Sequence, residues 1–243
     1  MHDQFRTLGR KIVCEEELLR NCSRLWKHED ALNILEGRKG TKKVEALTLC
    51  FALGSGKEPR FESKEFSKLT NIRYLRADGI ELIRDFKSLF PNLRWLRWRG
   101  CPPFFKPTNS HLENLAILDL SDSRITEDWE GWSQIKMANK LKVLELANCA
   151  LRRTPDFSSY ATLKILILQG CRNLVDIDSV CDLKNLEVLD ISYVAGIRRL
   201  PVEIEELRKL GRLEVIGFET LKLAEDIPSK RTAEHQVRLT VIG

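Results

Sequence analysis

The sequence predicts an α/β repeat fold, an irregular horseshoe-shaped solenoid, from three observations. An apolar pattern recurs along the chain, its copies follow one another at short and nearly regular steps, and the segments between copies are variable and interrupted by proline. The pattern is L-x-x-L-x-x-L-x-L-x-x-C/S, as in Phe90, Leu93, Leu96, Trp98 and Cys101, and again in Leu112, Leu115, Leu118, Leu120 and Ser123. Its central apolar residue falls at Leu75, Leu96, Leu118, Leu144, Leu166, Leu189 and Leu213, in steps of 21, 22, 26, 22, 23 and 24 residues.

Those steps lie in the range of about 20–29 residues that marks a leucine-rich repeat. In each copy the L-x-L pair reads as a short strand with both apolar side chains on one face, because the side-chain period of a strand is two. The residues between and beside them face outward. Three positions after the pair, Cys101, Ser123, Cys149 and Cys171 turn the chain inward, where a small side chain fits and satisfies turn backbone groups. One copy cannot bury its own apolar row, so stacking on the next copy creates the core. Each leucine buried in this way contributes about 1.5–3 kcal/mol.

Taken in order, the elements begin with a helical unit. Asp3 can cap a helix with Phe5, Leu8 and Ile12 on one face, and a second helix around residues 28–35 spaces Leu32 and Leu35 to bury together. The basic stretch GRKGTKK, residues 37–43, reads as a solvated connector, and VEALTLCF, residues 44–51, as a strand at the start of the array. The return segments Ile80–Phe90 and Pro201–Leu213 carry weak helical spacing (Ile83, Phe86 and Phe90; Ile204, Leu207 and Leu210), whereas Pro102, Pro103 and Pro155 block continuous helix elsewhere. QVRLTVI, residues 236–242, reads as a terminal strand and end cap. The expected division is a helical unit over residues 1–43 and the repeat array over residues 44–243.

Composition narrows the function. A chain of 243 residues, 43% apolar with 13 Gly and 8 Pro, is expected to fold throughout. Its net charge of +5 comes from 40 basic and 35 acidic residues and is too weak to argue for nucleic acid. No run of about 18 apolar residues suggests a membrane span, so a cytoplasmic protein is expected. The seven cysteines form no C-x-x-C pair, which favours buried, reduced thiols over a metal site.

Catalysis finds no support in the residues. The four histidines, His2, His28, His111 and His235, lack partners for a nucleophile or a metal, so no enzyme and no metal are expected. Gly54-Ser55-Gly56-Lys57 follows a strand where a phosphate loop would sit, but Phe51 replaces the first glycine and Glu58 the Ser/Thr, so it reads as a surface loop. The sharpest hint is the outward strand face. Tyr74, Arg76, Trp95, Arg97 and Arg99 give the early copies a basic, aromatic character, and Ile117, Asp119, Glu145, Asp190 and Glu214 turn the later ones acidic. Exposed Trp, Tyr and Arg are the types enriched at interface hot spots, so these residues are the candidate partner-binding set.

Several ordered phrases resemble one family. Met1-His2-Asp3 followed by LGRKIV, SRLWKHEDALNIL and GTKKVEALTL is similar to the end of the winged-helix part of the nucleotide-binding domain in plant disease resistance proteins of the Toll/interleukin-1-receptor-domain class. LRRTPDFSSYATLKILILQGCRNLVDID and LKNLEVLDIS resemble the leucine-rich repeats of the same family. The resemblance implies a winged-helix remnant, residues 1–43, ahead of the repeats. It implies that His2 and Asp3 sense bound ADP when the upstream nucleotide-binding domain is present, this chain alone holding no cofactor. It further implies partners that are proteins: the nucleotide-binding domain in cis, and a pathogen effector or a guarded host protein, with no nucleic acid and no membrane. The expected role is autoinhibition and recognition in plant defense, and the alternative is a standalone adaptor or decoy without nucleotide switching.

Overall fold

The computed structural model describes residues 22–37, 41–54, 58–83, 90–105 and 112–217, and the backbone of 238–242. Among them, ten strands form one parallel sheet: β1 (Arg24–Leu25), β2 (Ala46–Cys50), β4 (Tyr74–Asp78), β6 (Trp95–Arg97), β7 (Ile117–Asp119), β8 (Val143–Glu145), β9 (Ile165–Ile167), β10 (Val188–Asp190), β11 (Arg212–Ile216) and β12 (Arg238–Ile242). The strands of this sheet stack in chain order, which is the arrangement expected of a leucine-rich-repeat solenoid. The central leucines stand side by side: Leu47 on Leu75, then Leu96, Leu118, Leu144, Leu166, Leu189 and Leu213. All are buried except Leu96, which packs partly exposed against the same core.

The inward-turning row behaves as the pattern demands. Cys101, Ser123, Cys149 and Cys171 are buried, and each polar atom is used. The Ser123 hydroxyl accepts from Cys101 N at 2.9 Å, and the Cys149 and Cys171 thiols donate to the carbonyls of Leu120 (3.4 Å) and Leu146 (3.1 Å) in the preceding repeat. A buried carbonyl without a donor is costly, so a thiol of the right size at this turn serves packing and hydrogen bonding together.

Immediately before that row, the backbone turns through the left-handed region after each sheet strand from β4 to β11. Gly79, Gly100, Asp122, Asn148, Gly170, Tyr193 and Gly217 all have φ between 57° and 76°. Glycine, asparagine and aspartate tolerate this conformation and a bulky aromatic does not, so Tyr193 is the strained member. At Gly79 a Cβ would also stand 2.7 Å from the Phe51 carbonyl oxygen, so that position needs glycine twice over.

The N-terminal part departs from expectation. Helix α1 (His28–Glu36) buries Ala31, Ile34 and Leu35, with Leu32 packed partly exposed beside them, as the spacing of Leu32 and Leu35 suggested. The segment before it pairs as β1, with Arg24 opposite Ala46 and Leu25 opposite Leu47. Strand pairing therefore begins before the expected start of the array at residue 44, and β2 is not its first strand. The reason is a buried Leu25 and Cys22 that extend the core row by one more step.

The returns differ from helix as well. The segment starting at Ile80 forms β5 (Glu81–Ile83), not helix, because it pairs with β3 (Arg60–Glu62) in a separate two-stranded parallel sheet, with the Arg60 guanidinium 2.6 Å from Glu81. Residues 84–89, and Phe86 with them, lie outside the described residues. The remaining returns are short: α2 (Ser63–Phe66), α3 (Trp132–Ile135), and 3-10 turns over Asp178–Asp182 and Val202–Glu206. Ile204, Leu207 and Leu210 are buried as their spacing predicts. The expected helix at Phe5, Leu8 and Ile12 and most of the Gly54–Lys57 loop lie outside the described residues. At the other end, β12 pairs with β11 from Arg212–Arg238 to Ile216–Ile242, which puts a final strand where QVRLTVI predicts one.

Candidate functional site

Two rows of side chains run along the outward face of the sheet. The first comprises Tyr74, Trp95, Ile117, Val143, Ile165 and Val188, aligned by strand register and each half-buried. Tyr74 and Trp95 stack with ring centroids 4.0 Å apart and planes 5° from parallel, and Trp26 meets Tyr74 edge-on at 5.5 Å. An offset or stacked aromatic pair holds its rings rigid at a gain of about 0.5–1.5 kcal/mol. This row is an apolar stripe on an otherwise polar face.

The second row, two residues on, reads Thr48, Arg76, Arg97, Asp119, Glu145, Ile167, Asp190 and Glu214. The structure corrects the expectation of a basic end grading into an acidic one. Arg76, Arg97 and Arg99 are tied to carboxylates: Arg76 Nε lies 2.6 Å from Asp78, Arg97 Nε lies 3.2 Å from Asp78 and 3.7 Å from Asp119, and Arg99 lies 3.4 Å from Asp119 and 3.6 Å from Asp122. The acids are covered, since Asp78 and Asp119 are each 3% exposed. The charges neutralise one another within the sheet, because a carboxylate buried on this face needs a cation or donors at once.

Asp119 and Asp190 also depart from the expected open acidic surface. Both are buried, and each accepts the backbone N–H two residues on, from Ser121 at 2.9 Å and from Ser192 at 2.8 Å. These aspartates close the turn at the end of their strands. Glu145 and Glu214 remain half-exposed at the same strand position. Burial raises the Glu145 pKa and the charge of Asp119 raises it further, against the opposing pull of Arg99 and Arg97. At Arg76, burial acts to lower the pKa but is outweighed by the hydrogen bond and charge of Asp78, which leave it raised.

Tyr74, Arg76, Trp95, Arg97, Arg99, Asp119 and Glu145 thus form one neighbourhood over β4 to β8. Asp190 and Glu214 stand apart, separated from it by the aliphatic β9. His2 and Asp3 lie outside the described residues, as do His111 and His235. His28 is described: its Nδ1 accepts from Cys50 N at 3.3 Å and its ring meets Phe51 edge-on, which is a packing role. Asp78 and Asp122 were not singled out in the sequence. Arg76-x-Asp78 is a same-face pair on one strand, and counting outward positions one step further reaches it.

Among the described residues, no cluster of three or more His, Cys, Asp or Glu could hold a metal ion, and no helix is long and apolar enough to cross a membrane. The described residues offer no glycine loop at a helix start that would cradle a nucleotide's phosphates.

No family model matches the chain. It is similar to the disease resistance protein RUN1 of Vitis rotundifolia, 32% identical over 213 residues that cover 73% of this chain and 15% of that protein. Over 258 residues it is 28% identical to the disease resistance protein RML1A of Arabidopsis thaliana, covering 99% of this chain and 24% of that one. The chain therefore spans about a quarter or less of the curated relatives it matches. Among solved structures, internalin C2 of Listeria monocytogenes superimposes with a TM-score of 0.60 at 15% identity, covering 89% of this chain and 84% of that chain. A second internalin-like protein of Listeria monocytogenes gives 0.58 at 17% identity, covering 82% and 60%. At that identity the likeness is one of fold.

Proposed function

This chain is a homologue of the plant disease resistance proteins of the Toll/interleukin-1-receptor, nucleotide-binding, leucine-rich-repeat kind, and from that premise we propose that it is a protein-docking segment of a plant immune receptor. It binds and does not catalyse. In the resting receptor its outward sheet face holds the nucleotide-binding domain inactive in cis, and it changes contact when a pathogen effector or a guarded host protein competes for the same face. The energetic demand is modest, since a differential affinity of about 3 kcal/mol shifts such an equilibrium more than a hundredfold.

The observation that carries this reading is the apolar stripe headed by the stacked Tyr74–Trp95 pair. Rigid aromatic anchors beside half-buried aliphatics, rimmed by neutralised charge, are the makings of an interface centre. The arginines are less suited to test it: replacing Arg97 and Arg99 by glutamate would face new carboxylates to Asp78 and Asp119 and damage the sheet itself.

The experiment is Tyr74→Ala with Trp95→Ala in the longer receptor that this reading requires, expressed in leaf tissue without pathogen. Release of the resting state, seen as cell death without infection, is the expected result. A receptor that stays silent, with the variant chain melting as the parent does, would reject the autoinhibitory contact.

A further inference from the structure

We propose that Asp190, with Glu214 beside it, is the seat for an arginine side chain of a protein partner. The inference rests on the docking reading above and assigns a partner chemistry to the far end of the same face.

The chain contains its own template. Asp119 and Asp190 occupy the same position in the outward row, each followed by a glutamate on the next strand, Glu145 and Glu214. Each is nearly covered, at 3% and 7% exposure, and each holds the N–H of a serine two residues on. They differ in what stands on the preceding strand. Register sets Arg97 against Asp119, and Arg99 follows two residues later, with their Nε atoms 3.7 and 3.4 Å from its carboxylate. Against Asp190 the register sets Ile167, and Gln169 stands where Arg99 would be. Among the described residues no cation forms an ion pair with Asp190; Arg212, on the next strand, is engaged with Glu214 Oε1 at 2.9 Å.

A second observation marks the same strand end. The Ser192 hydroxyl is buried and has no hydrogen-bond partner, whereas its counterpart Ser121 accepts from Ala147 N at 3.2 Å. A covered carboxylate without a cation is costly to fold around and gains from a cation brought from outside, and the unpartnered hydroxyl two residues on shows that the polar groups at this strand end are not all satisfied from within the chain.

Arginine suits the seat better than lysine does. Its planar fork meets a carboxylate with two parallel bonds and sheds water more readily than an ammonium, and it is the cation that the template uses. Its aliphatic stem would lie on Ile165 and Val188 of the apolar stripe and on Ile167 of the second row, all half-buried beside Asp190.

The test is fluorescence anisotropy of a labelled nona-arginine peptide titrated with the full chain at low salt. Asp190→Asn keeps the Oδ1 acceptor that Ser192 N needs, so the turn is preserved and a thermal melt verifies the fold. Its affinity should fall at least about tenfold, while Asp176→Asn, the same charge change at an exposed acid, stays within about twofold. Ile167→Arg should weaken the peptide similarly by supplying the guanidinium in cis. Equal losses in the two Asp→Asn variants, an Ile167→Arg chain that binds like the parent, or no binding by the parent would each overturn the assignment. These outcomes are separate from the receptor assay on Tyr74 and Trp95, so the seat can fail while the docking reading stands.

Discussion

Arg97 Nε stands 3.2 Å from both oxygens of the Asp78 carboxylate, reaching from β6 across to the end of β4. The same carboxylate holds Arg76 Nε at 2.6 Å and the backbone N–H of Arg99 at 3.4 Å, so one acid gathers three arginine residues from two repeats. Asp78→Ala removes the shared acceptor from the Arg76 and Arg97 guanidinium groups, whereas the Arg99 guanidinium stays with Asp119 and Asp122. Breaking a buried pair costs about 3–5 kcal/mol. The Arg76 and Arg97 side chains are 31% and 24% exposed, so water recovers part of that and about 2 kcal/mol is expected. Urea unfolding measures it, and a loss under about 0.5 kcal/mol would mean that solvent balances the cluster.

Tyr193 offers a gain in stability. Its φ of 59° places a bulky aromatic in a backbone region that costs about 1–2 kcal/mol for a residue with a Cβ, and its side chain is half exposed. The ring lies over Gly217, where an added Cβ would stand 2.7 Å from it. Tyr193→Asn should stabilise the chain by about 0.5–1 kcal/mol, since asparagine fills the same position at residue 148. A drop in melting temperature would show that the ring's cover of Gly217 outweighs the backbone strain.

The repeat was legible in the sequence because its leucines have a period that only stacked strands satisfy. The left-handed row was not read from the apolar pattern, although Gly79, Gly100, Asp122, Asn148 and Gly170 each stand four residues after a central leucine. Less could be read where two readings share one composition. Glu81-Leu82-Ile83 carries helical spacing and β-branched content alike, and pairing with Arg60–Glu62, a contact between distant segments, decides for strand. The charged face misled for a related reason: outward is not the same as exposed. On a closely stacked sheet, neighbouring strands' long side chains cover a short acid such as Asp119, and the exposure of each residue is set by the residues of two other repeats.

Thiol chemistry separates the cysteines. Burial raises the pKa of Cys101 and Cys149, and pushes Cys171 and Cys181 up to about 11. Cys50 is exposed at the end of β2. Iodoacetamide near neutral pH should therefore label Cys50 in the native chain and leave Cys22, Cys101, Cys149, Cys171 and Cys181 untouched until denaturant is added. Peptide mass mapping reads the result, and native labelling at Cys171 would show that the solenoid opens there.

Leu166 tests cooperativity between repeats. It is fully buried at the centre of β9, paired with Leu144 and Leu189. Leu166→Ala should cost about 2–5 kcal/mol. Leu166→Arg should unfold the adjoining copies, because a solenoid's stability is a sum over neighbouring interfaces. Hydrogen exchange would then lose protection over β8 to β10 before β2 and β4, and a normal melt for this variant would reject the register.

Glu145 gives the charged row a pH signature whose sign can be worked out. Burial, then the charge of Asp119, raise its pKa above the ordinary 4.5 against Arg99 and Arg97. The folded chain therefore holds the proton more tightly than the unfolded chain does. Below the unfolded value both states are protonated and nothing is lost; as pH rises through the folded value, the ionised carboxylate becomes a burden on the fold. Glu145→Gln removes that burden, so the variant should melt higher than the parent at pH about 7, and the difference should shrink to nothing as pH falls below the ordinary carboxylate value. A difference that persists in acid would trace the gain to packing. A variant that melts lower at neutral pH would mean that the attraction of Arg97 and Arg99 for the ionised carboxylate exceeds the cost of covering it.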